Sequence, residues 1–466
     1  MLALIPLTFV VLAMDHSVSI DGRFDDWASI ETDQPWSLQV RSDADYIYLM
    51  AHRTGPTRVA QQLDTPLKIG LDLDGNASTG CSEGELKGTE LAFILSPKEP
   101  GQRRGGVLAV SWSADGTKDY RSPYEFDFLL APSIESRRHE IRIGRSQLDL
   151  TNGPIRILLN PSEGEFISET LDPSDGLQAD ASHAVVPMRS DDALRVTSWN
   201  IERGGLLKRA ELVSQILAAI QPDLLLVQEL QDDQEPRDIK QVLETAMPDS
   251  TWTVALSPRG TGLRSAVATR LPAIPATGFN TIRRVDDSDR IVKAAGLVIT
   301  TENQSRLLAV SLHLRCCGAL HGPEDMVRIS EAMSIREAIT IAAAEHSPTS
   351  LVIGGDMNLV ASQLPLTVLQ DKGQAMLGEG HTGDLTVATP GHLDDGATYT
   401  WFDADSQFTP GQLDFILTGG DAHQAQSYIF DSTDLTSEEL GELPPHATSE
   451  ASDHLPLVVD LTFQSE

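Results

Sequence analysis

The chain has 466 residues, room for two or three domains, and at 40% apolar it can bury a sizeable core. Lys and Arg total 35 against 68 Asp and Glu, a formal net charge of −33 that argues against holding nucleic acid through a basic field of its own. Three cysteines exclude a disulfide-rich scaffold and a cysteine-built zinc cage, while a phosphate-ester substrate stays open because bound divalent cations reverse the local sign.

Leu2 to Ala13 is almost unbroken apolar sequence, too short to span a bilayer and of the length of a signal-peptide core. No Lys or Arg precedes it, yet export fits its length better than a buried strand. A signal peptide over residues 1–14 is therefore expected, with a secreted or periplasmic protein behind it and no integral membrane segment. Residues 15–171 read as short strands between turns: Tyr46–Met50 and Leu91–Leu95 are strand-like, and Glu140–Ile143 alternates polar with apolar. No long helical period interrupts them, which predicts an all-β sandwich. Within it Asp72, Asp74 and Asn76 have the alternate spacing with which a tight loop wraps Ca²⁺, although the helix-flanked signature and its final glutamate are missing. A solvated turn accounts for them equally well.

Residues 172–193, rich in Pro, Asp, Ser and Ala, form the expected linker. From 194 to 466 strands alternate with amphipathic helices. Arg195–Trp199 predicts a strand, Lys208–Ile220 a helix with Leu212, Val213, Ile216, Leu217 and Ile220 on one face, and Leu224–Val227 a strand after Pro222-Asp223. Leu307–Leu312, Glu324–Glu345 and Leu351–Ile353 repeat the strand–helix–strand unit, so a layered α/β domain is expected. Adjacent Cys316 and Cys317 read as two thiols rather than a bridge, and Cys81 has no partner in view.

Polar residues sit just past these strands. Asn200 and Glu202 follow the first, Glu229 the second, His313 the third, and Asp356 and Asn358 the fourth. Asp414 lies in a later strand-like run, and Asp453-His454 precede Leu455-Pro456-Leu457. Strand ends converge on one edge of a sheet however far apart they lie in sequence. Carboxylates, carboxamides and imidazoles so gathered suit an oxygen-ligated Mg²⁺ or Mn²⁺ and attack by water on a phosphate ester.

Ser198-Trp199-Asn200-Ile201-Glu202, Leu226-Val227-Gln228-Glu229, Gly355-Asp356-Met357-Asn358, Leu413-Asp414-Phe415 and Ser452-Asp453-His454 resemble, in order, the motifs of the endonuclease/exonuclease/phosphatase superfamily. The resemblance implies a four-layer αββα sandwich, as in deoxyribonuclease I, preceded here by the all-β sandwich. It further implies that Glu229 is the principal metal carboxylate with Asn200, Glu202 and Asp453 near the cation. Asp356 would align or deprotonate the water, Asn358 would hold it or a phosphoryl oxygen, and His454, paired with Asp414, would contact the phosphate. His313 resembles the histidine of the deoxyribonuclease I-like and sphingomyelinase-like branches, a general-acid candidate. Two departures bear on substrate: Gln412 stands where the family often has Arg or Lys, and Leu263–Arg270 follows the family's apolar-Ser-Arg strand only loosely.

In the first half, Ile20-Asp21-Gly22-Arg23-Phe24-Asp25-Asp26-Trp27 resembles the start of family 9-like carbohydrate-binding sandwiches. Trp27, Trp36 and Trp112 are of the type that stacks on sugars, but core tryptophans are commoner and no sugar-binding residue is assigned. Singly, each catalytic candidate has an ordinary reading as a turn, a cap or a core histidine, and Arg290 and Arg315 read better as surface or ion-paired arginines than as phosphate clamps. Five motifs in order point instead to an exported, metal-dependent phosphoester hydrolase. A nuclease or phosphodiesterase acting on nucleic acid comes first, and a sphingomyelinase- or inositol-phosphate-type enzyme acting on a phospholipid headgroup second. An inactive scaffold serving as an extracellular binding protein stands against the intact acidic set. A polysaccharide is the expected ligand of the front domain, and no protein partner is indicated.

Overall fold

The computed structural model describes residues 18–463 apart from 30–31, 83, 98–104, 114–115, 151–152, 162–165, 173–183, 372–375 and 378–382. The signal-peptide expectation, and the first half of the expected linker, lie outside the described residues.

Strands of alternating sequence build the front domain. β1 (Trp36–Ser42), β2 (Tyr46–Arg53), β3 (Leu67–Asp72), β4 (Leu91–Leu95), β5 (Val107–Trp112), β6 (Lys118–Arg121), β7 (Leu129–Ala131), β8 (Arg138–Gly144), β9 (Ile155–Asn160) and β10 (Ile167–Leu171) form two antiparallel sheets. Their orders are β1-β2-β8-β7 and β10-β9-β3-β4-β5-β6. Every second side chain enters the layer between them: Ile47, Leu49, Ile141 and Ile143 from one sheet meet Ile69, Leu71, Phe93, Ile157 and Leu159 from the other. Each such fully buried aliphatic chain contributes roughly 1.5–3 kcal/mol. Trp27 is buried in a separate cluster with Tyr48 and Met50, Trp36 lies under Arg53, and Trp112 packs on Cys81, Leu86 and Ala92.

The second domain inserts helices outside its sheets. Its elements are β11 (Leu194–Asn200), α1 (Gly205–Lys208), α2 (Ala210–Ile220), β12 (Leu224–Gln231), α3 (Pro236–Ala246), β13 (Thr253–Leu256), β14 (Leu263–Thr269), β15 (Ala273–Pro275), β16 (Arg283–Arg284), β17 (Asp287–Ile291), β18 (Lys293–Thr300), β19 (Arg306–His313), α4 (Pro323–His346), β20 (Ser350–Asp356), α5 (Leu364–Gln370), β21 (Thr386–Val387), β22 (Asp414–Gly420), β23 (Ala422–Ile429) and β24 (Leu457–Phe463). They form two six-stranded sheets, β13-β14-β12-β11-β24-β23 and β15-β18-β19-β20-β22-β21. Val196, Leu224 and Leu226 of the first sheet pack inward on Leu297, Ala309 and Val352 of the second. The alternate residues Trp199, Leu225 and Val227 face outward onto α2 and α3, while Val310 and Ile353 face α4. This is the αββα sandwich, and its period-2 alternation is why strand and helix patterns were both readable. The expected helix Lys208–Ile220 is broken at Arg209, whose backbone (φ −125°, ψ 35°) is not helical.

The sandwich domain is docked, not tethered at a distance. Gln62 Nε2 donates to Val360 O (2.9 Å), Glu135 N to Ala361 O (2.9 Å), and Tyr124 OH to Phe408 O (3.0 Å). Thr409 N donates to Gln61 Oε1 (3.1 Å), Val107 N to Gln407 O (2.8 Å), and Arg142 pairs with both Asp127 and Asp395. Gly106, at φ +81°, makes this approach possible: a Cβ there would lie 2.1 Å from Gln407 O. The hydrolase segments so gripped, 357–362 and 395–413, flank Asp356 and Asp414. The last part of the expected linker is likewise seated on the second domain, with Ala184 buried and Arg189 paired to Asp223.

Candidate active site

Period-2 alternation carries a polar cap into the inner layer at one end of the paired sheets. Beyond Val196 the inward positions of β11 are Ser198 and Asn200, and beyond Leu226 on β12 comes Gln228. Gln228 Nε2 donates to Ser311 Oγ (3.0 Å), whose hydroxyl donates to Val227 O (3.0 Å), a buried link that ties the two sheets together behind the site. A register shift between Val227 and Leu230 then re-aims Glu229, which sits at φ +60°. Glu202, Arg203 and Asn358 also have left-handed backbones, so four non-glycine residues hold costly conformations at this one edge.

Asp356 is the hub. Its Oδ2 accepts from Asn358 Nδ2 (2.8 Å) and Asn200 Nδ2 (3.0 Å), and its Oδ1 accepts from Asn358 N (2.9 Å). The same Oδ2 lies 3.5 Å from His313 Nε2 and 3.9 Å from His454 Nε2. His454 Nδ1 meets Asp414 Oδ2 at 2.7 Å, and Trp199 Nε1 donates to the His454 carbonyl (2.9 Å). His313 Nε2 is 3.7 Å from Glu229 Oε1, so ligand atoms of Glu229, His313 and Asp356 all fall within 4.8 Å of one another.

Electrostatics separates the two imidazoles. Burial alone would pull His454 down, but Asp414, then Asp356 and Asp453, hold it up at about 10. His313 has no such carboxylate bond; burial, then Lys293 and His454, hold it well below its ordinary value, and its Nδ1 has no hydrogen-bond partner. Burial pushes Asp356 up to about 7, with Asp414 and Glu229 adding to the effect and His454 opposing it. A carboxyl set this crowded, with Asp414 Oδ1 also unpartnered, is the donor set that a hard divalent cation fits.

Of the four residues expected at the cation, Glu229 lies in this cluster, while Asn200 is bonded to Asp356 and reaches it only indirectly. Asp453 Oδ2 accepts from Trp401 Nε1 (3.1 Å), and Glu202 is taken by Arg209 (3.2 Å). Asp356, Asn358, His313, His454 and Asp414 are all brought together as the motifs imply. Arg290 is exposed beside Asp287, and Arg315 turns its backbone N–H onto Glu331 (2.7 Å). Cys316 and Cys317 are joined as a vicinal disulfide rather than left as thiols, and Cys81 is buried against Leu86 and Ala92.

The family model described as "Endonuclease/Exonuclease/phosphatase family" matches residues 197–454, more than half of the chain. The chain belongs to that family. An endonuclease/exonuclease/phosphatase chain is a hydrolase of phosphoester bonds, and the Asn200, Glu229, Asp356 and His454 edge is where the matched segment converges. No curated protein matches significantly. Among solved structures the chain is similar to the endonuclease/exonuclease/phosphatase from Bacteroides vulgatus, 16% identical with TM-score 0.38, covering 58% of this chain and 99% of that one. It is also similar to truncated TDP2 from Caenorhabditis elegans (16%, TM-score 0.40, 58% and 98%) and to ANGEL2, a 2',3'-cyclic phosphatase (15%, TM-score 0.39, 59% and 98%).

Sequence reading placed Gln228 at the strand end without a role and missed Ser311, Trp401 and Lys293. Gln228, Ser311 and Trp401 carry no charge, and their roles arise from partners 83 or 52 residues away. In the front domain Asp72 and Asp74 of the expected Ca²⁺ set converge with Glu90. Both arms of Arg156 bond Asp72, and Asp74 and Asn76 accept backbone N–H groups within their own turn.

Proposed function

We propose that this hydrolase is a divalent-metal-dependent phosphodiesterase with nucleic acid as its first substrate class. The observation that carries it is the hub at Asp356 Oδ2, where two carboxamides and two imidazoles, His454 cationic and His313 neutral, surround one buried carboxylate. A phosphodiester gains negative charge as water attacks, so the site must supply positive charge that a chain of −33 lacks overall.

Glu229 would hold Mg²⁺ or Mn²⁺ at the cluster it forms with His313 and Asp356. Such an ion supplies charge to the attacked phosphate and lowers the pKa of water. Asp356, kept in place by Asn200 and Asn358, aligns the attacking water and accepts its proton; at about 7 its affinity for protons suits that task near neutral pH. His454, cationic through Asp414, contacts the phosphoryl oxygen, and Asp414 fixes the ring by holding Nδ1. His313, uncharged, has no second proton to give, so its Nε2 on the other side of Asp356 would serve as a hydrogen-bond donor to the leaving oxygen, which takes its proton from water.

Hydrolysis of plasmid DNA, RNA, sphingomyelin, a phosphoinositide and bis-p-nitrophenyl phosphate, each with Mg²⁺, Mn²⁺, Ca²⁺ or EDTA, tests this. Turnover of a nucleic acid with Mg²⁺ or Mn²⁺ and none in EDTA is expected. Full activity in EDTA overturns the metal requirement, and preference for a lipid headgroup replaces the substrate class.

A further inference from the structure

β18, β19, β20 and β22 are registered so that Lys293 lies opposite His313, His313 opposite Asp356, and Asp356 opposite Asp414. Directly opposed residues on neighbouring strands project from the same face of a sheet. Ala295, Leu297 and Ile299, the next alternate positions of β18, lie in the core between the two sheets. Lys293 therefore faces inward as well, and completes a rung of four ionisable side chains across the floor of the site.

The lysine is half-buried. Among the described residues its ammonium has no hydrogen bond and no ion pair. The charges facing it are Glu331 of α4, Glu229 and Asp356, with Arg315 as the one repelling neighbour. Glu331 is already engaged, accepting the backbone N–H of Arg315 (2.7 Å). A partly desolvated cation without a partner is costly unless an anion arrives to meet it. Two strand spacings, roughly 10 Å between backbones, separate Lys293 from Asp356, a gap that an extended lysine chain largely spans.

We infer that Lys293 is a phosphate-contacting residue of this site, its ammonium taking a non-bridging oxygen on the flank opposite His454. The inference rests on the phosphoester reading above. The attacked phosphate then lies between two side-chain cations, one fixed by Asp414 and the other held on a flexible stem.

Inorganic phosphate is the probe. Calorimetric titration of the full chain in excess Mg²⁺ should show Lys293→Met binding phosphate roughly tenfold or more weaker than wild type. Lys293→Arg, which keeps the charge, should recover part of the loss. A purely structural lysine would change the melting temperature and leave phosphate affinity alone. A second readout needs no variant: phosphate should protect Lys293 of the wild-type chain from an amine-acetylating reagent, read by peptide mass mapping.

Equal phosphate affinity in wild type and folded Lys293→Met overturns the inference. So does acetylation of Lys293 at one rate with and without phosphate, or a wild-type chain that does not bind phosphate. Neither binding readout needs turnover. An inert enzyme whose Lys293 is still protected refutes the catalytic reading alone, whereas a turning-over enzyme with Lys293 unprotected refutes only this one.

Discussion

In the sandwich domain, Arg142 lies over the Tyr46 ring with Asp127 and Asp395 on its two arms, and Asp72 takes both arms of Arg156. At the hydrolase edge, Glu229, Asp356 and Asp414 crowd together with no guanidinium among their hydrogen-bonded partners in the described residues, Glu229 accepting only the backbone N–H of Arg203 (2.8 Å), and polar atoms of His313 and Asp414 are left unpartnered. Both regions bury charge, but at Arg142 and Arg156 the sandwich closes it with carboxylates from its own chain, whereas the hydrolase edge keeps places open for something that arrives. Closed pairs hold a structure, whereas open ones cost stability and mark chemistry. Glu140 is the informative exception. It is fully buried in the sandwich, and burial, then Asp26 and Asp21, push it up to about 9, with Oε1 unpartnered.

The largest effect should come from opening a closed pair. Arg142→Met strands Asp395 against Asp127 at the domain junction and should cost about 3 kcal/mol of stability in chemical denaturation. A loss below about 1 kcal/mol would mean that the pair is only a surface contact. Asp356→Asn does the reverse. It should lower kcat roughly 10²-fold or more while leaving the melting temperature equal or higher, because a crowded carboxylate has gone. A large drop in melting temperature would put Asp356 with the structural charges instead.

Glu140→Gln sharpens the exception. Glu140 is protonated in the native state up to about pH 9 but ionised when unfolded above about 4.3, so it weakens folding increasingly as pH rises between those values. The variant should be more stable than wild type by about 1–3 kcal/mol at pH 7, with the advantage vanishing near pH 4. A destabilised variant at pH 7 would show that the carboxylate is ionised and has a partner. His313→Ala should slow cleavage of a natural diester more than that of a nitrophenyl ester, whose leaving oxygen needs little help from a hydrogen-bond donor. Equal losses remove His313 from contact with the leaving oxygen. The smallest effect belongs to Trp401→Phe, which deletes one hydrogen bond to Asp453, worth about 1 kcal/mol, and should shift KM rather than kcat.

Much of the hydrolase edge was legible because each inward-facing strand ends its apolar alternation on a polar residue: Asn200 after Val196 and Ser198, His313 after Ala309 and Ser311. Lys293 was not legible, since it begins its strand, and β18 runs antiparallel to β19, which brings a strand's start to the same edge as its neighbours' ends. The docking of the sandwich was hidden for another reason. Gln61 and Thr409, or Tyr124 and Phe408, are hundreds of residues apart and carry no pattern that marks them as partners. At the acidic loop the sequence could not show that Arg156, 84 residues on, brings a positive charge to Asp72.

Gly355 sits between the core of β20 and Asp356, at φ +147°, where a Cβ would fall 2.0 Å from Leu312 O. Because strands alternate, a slip of one residue would turn Asp356 outward toward α4 and present Gly355 to the cleft. The same slip would uncouple Asp356 from His313 on one side and Asp414 on the other. Gly355 thus marks where β20 comes closest to β19: only a residue without a side chain tolerates that contact, and any other there would push the two strands apart. A substitution there would change no reacting group, yet it would erase the coincidence of three strands on which the chemistry depends. Loss of activity at Gly355 is therefore a failure of alignment, and no supplement of metal should restore it.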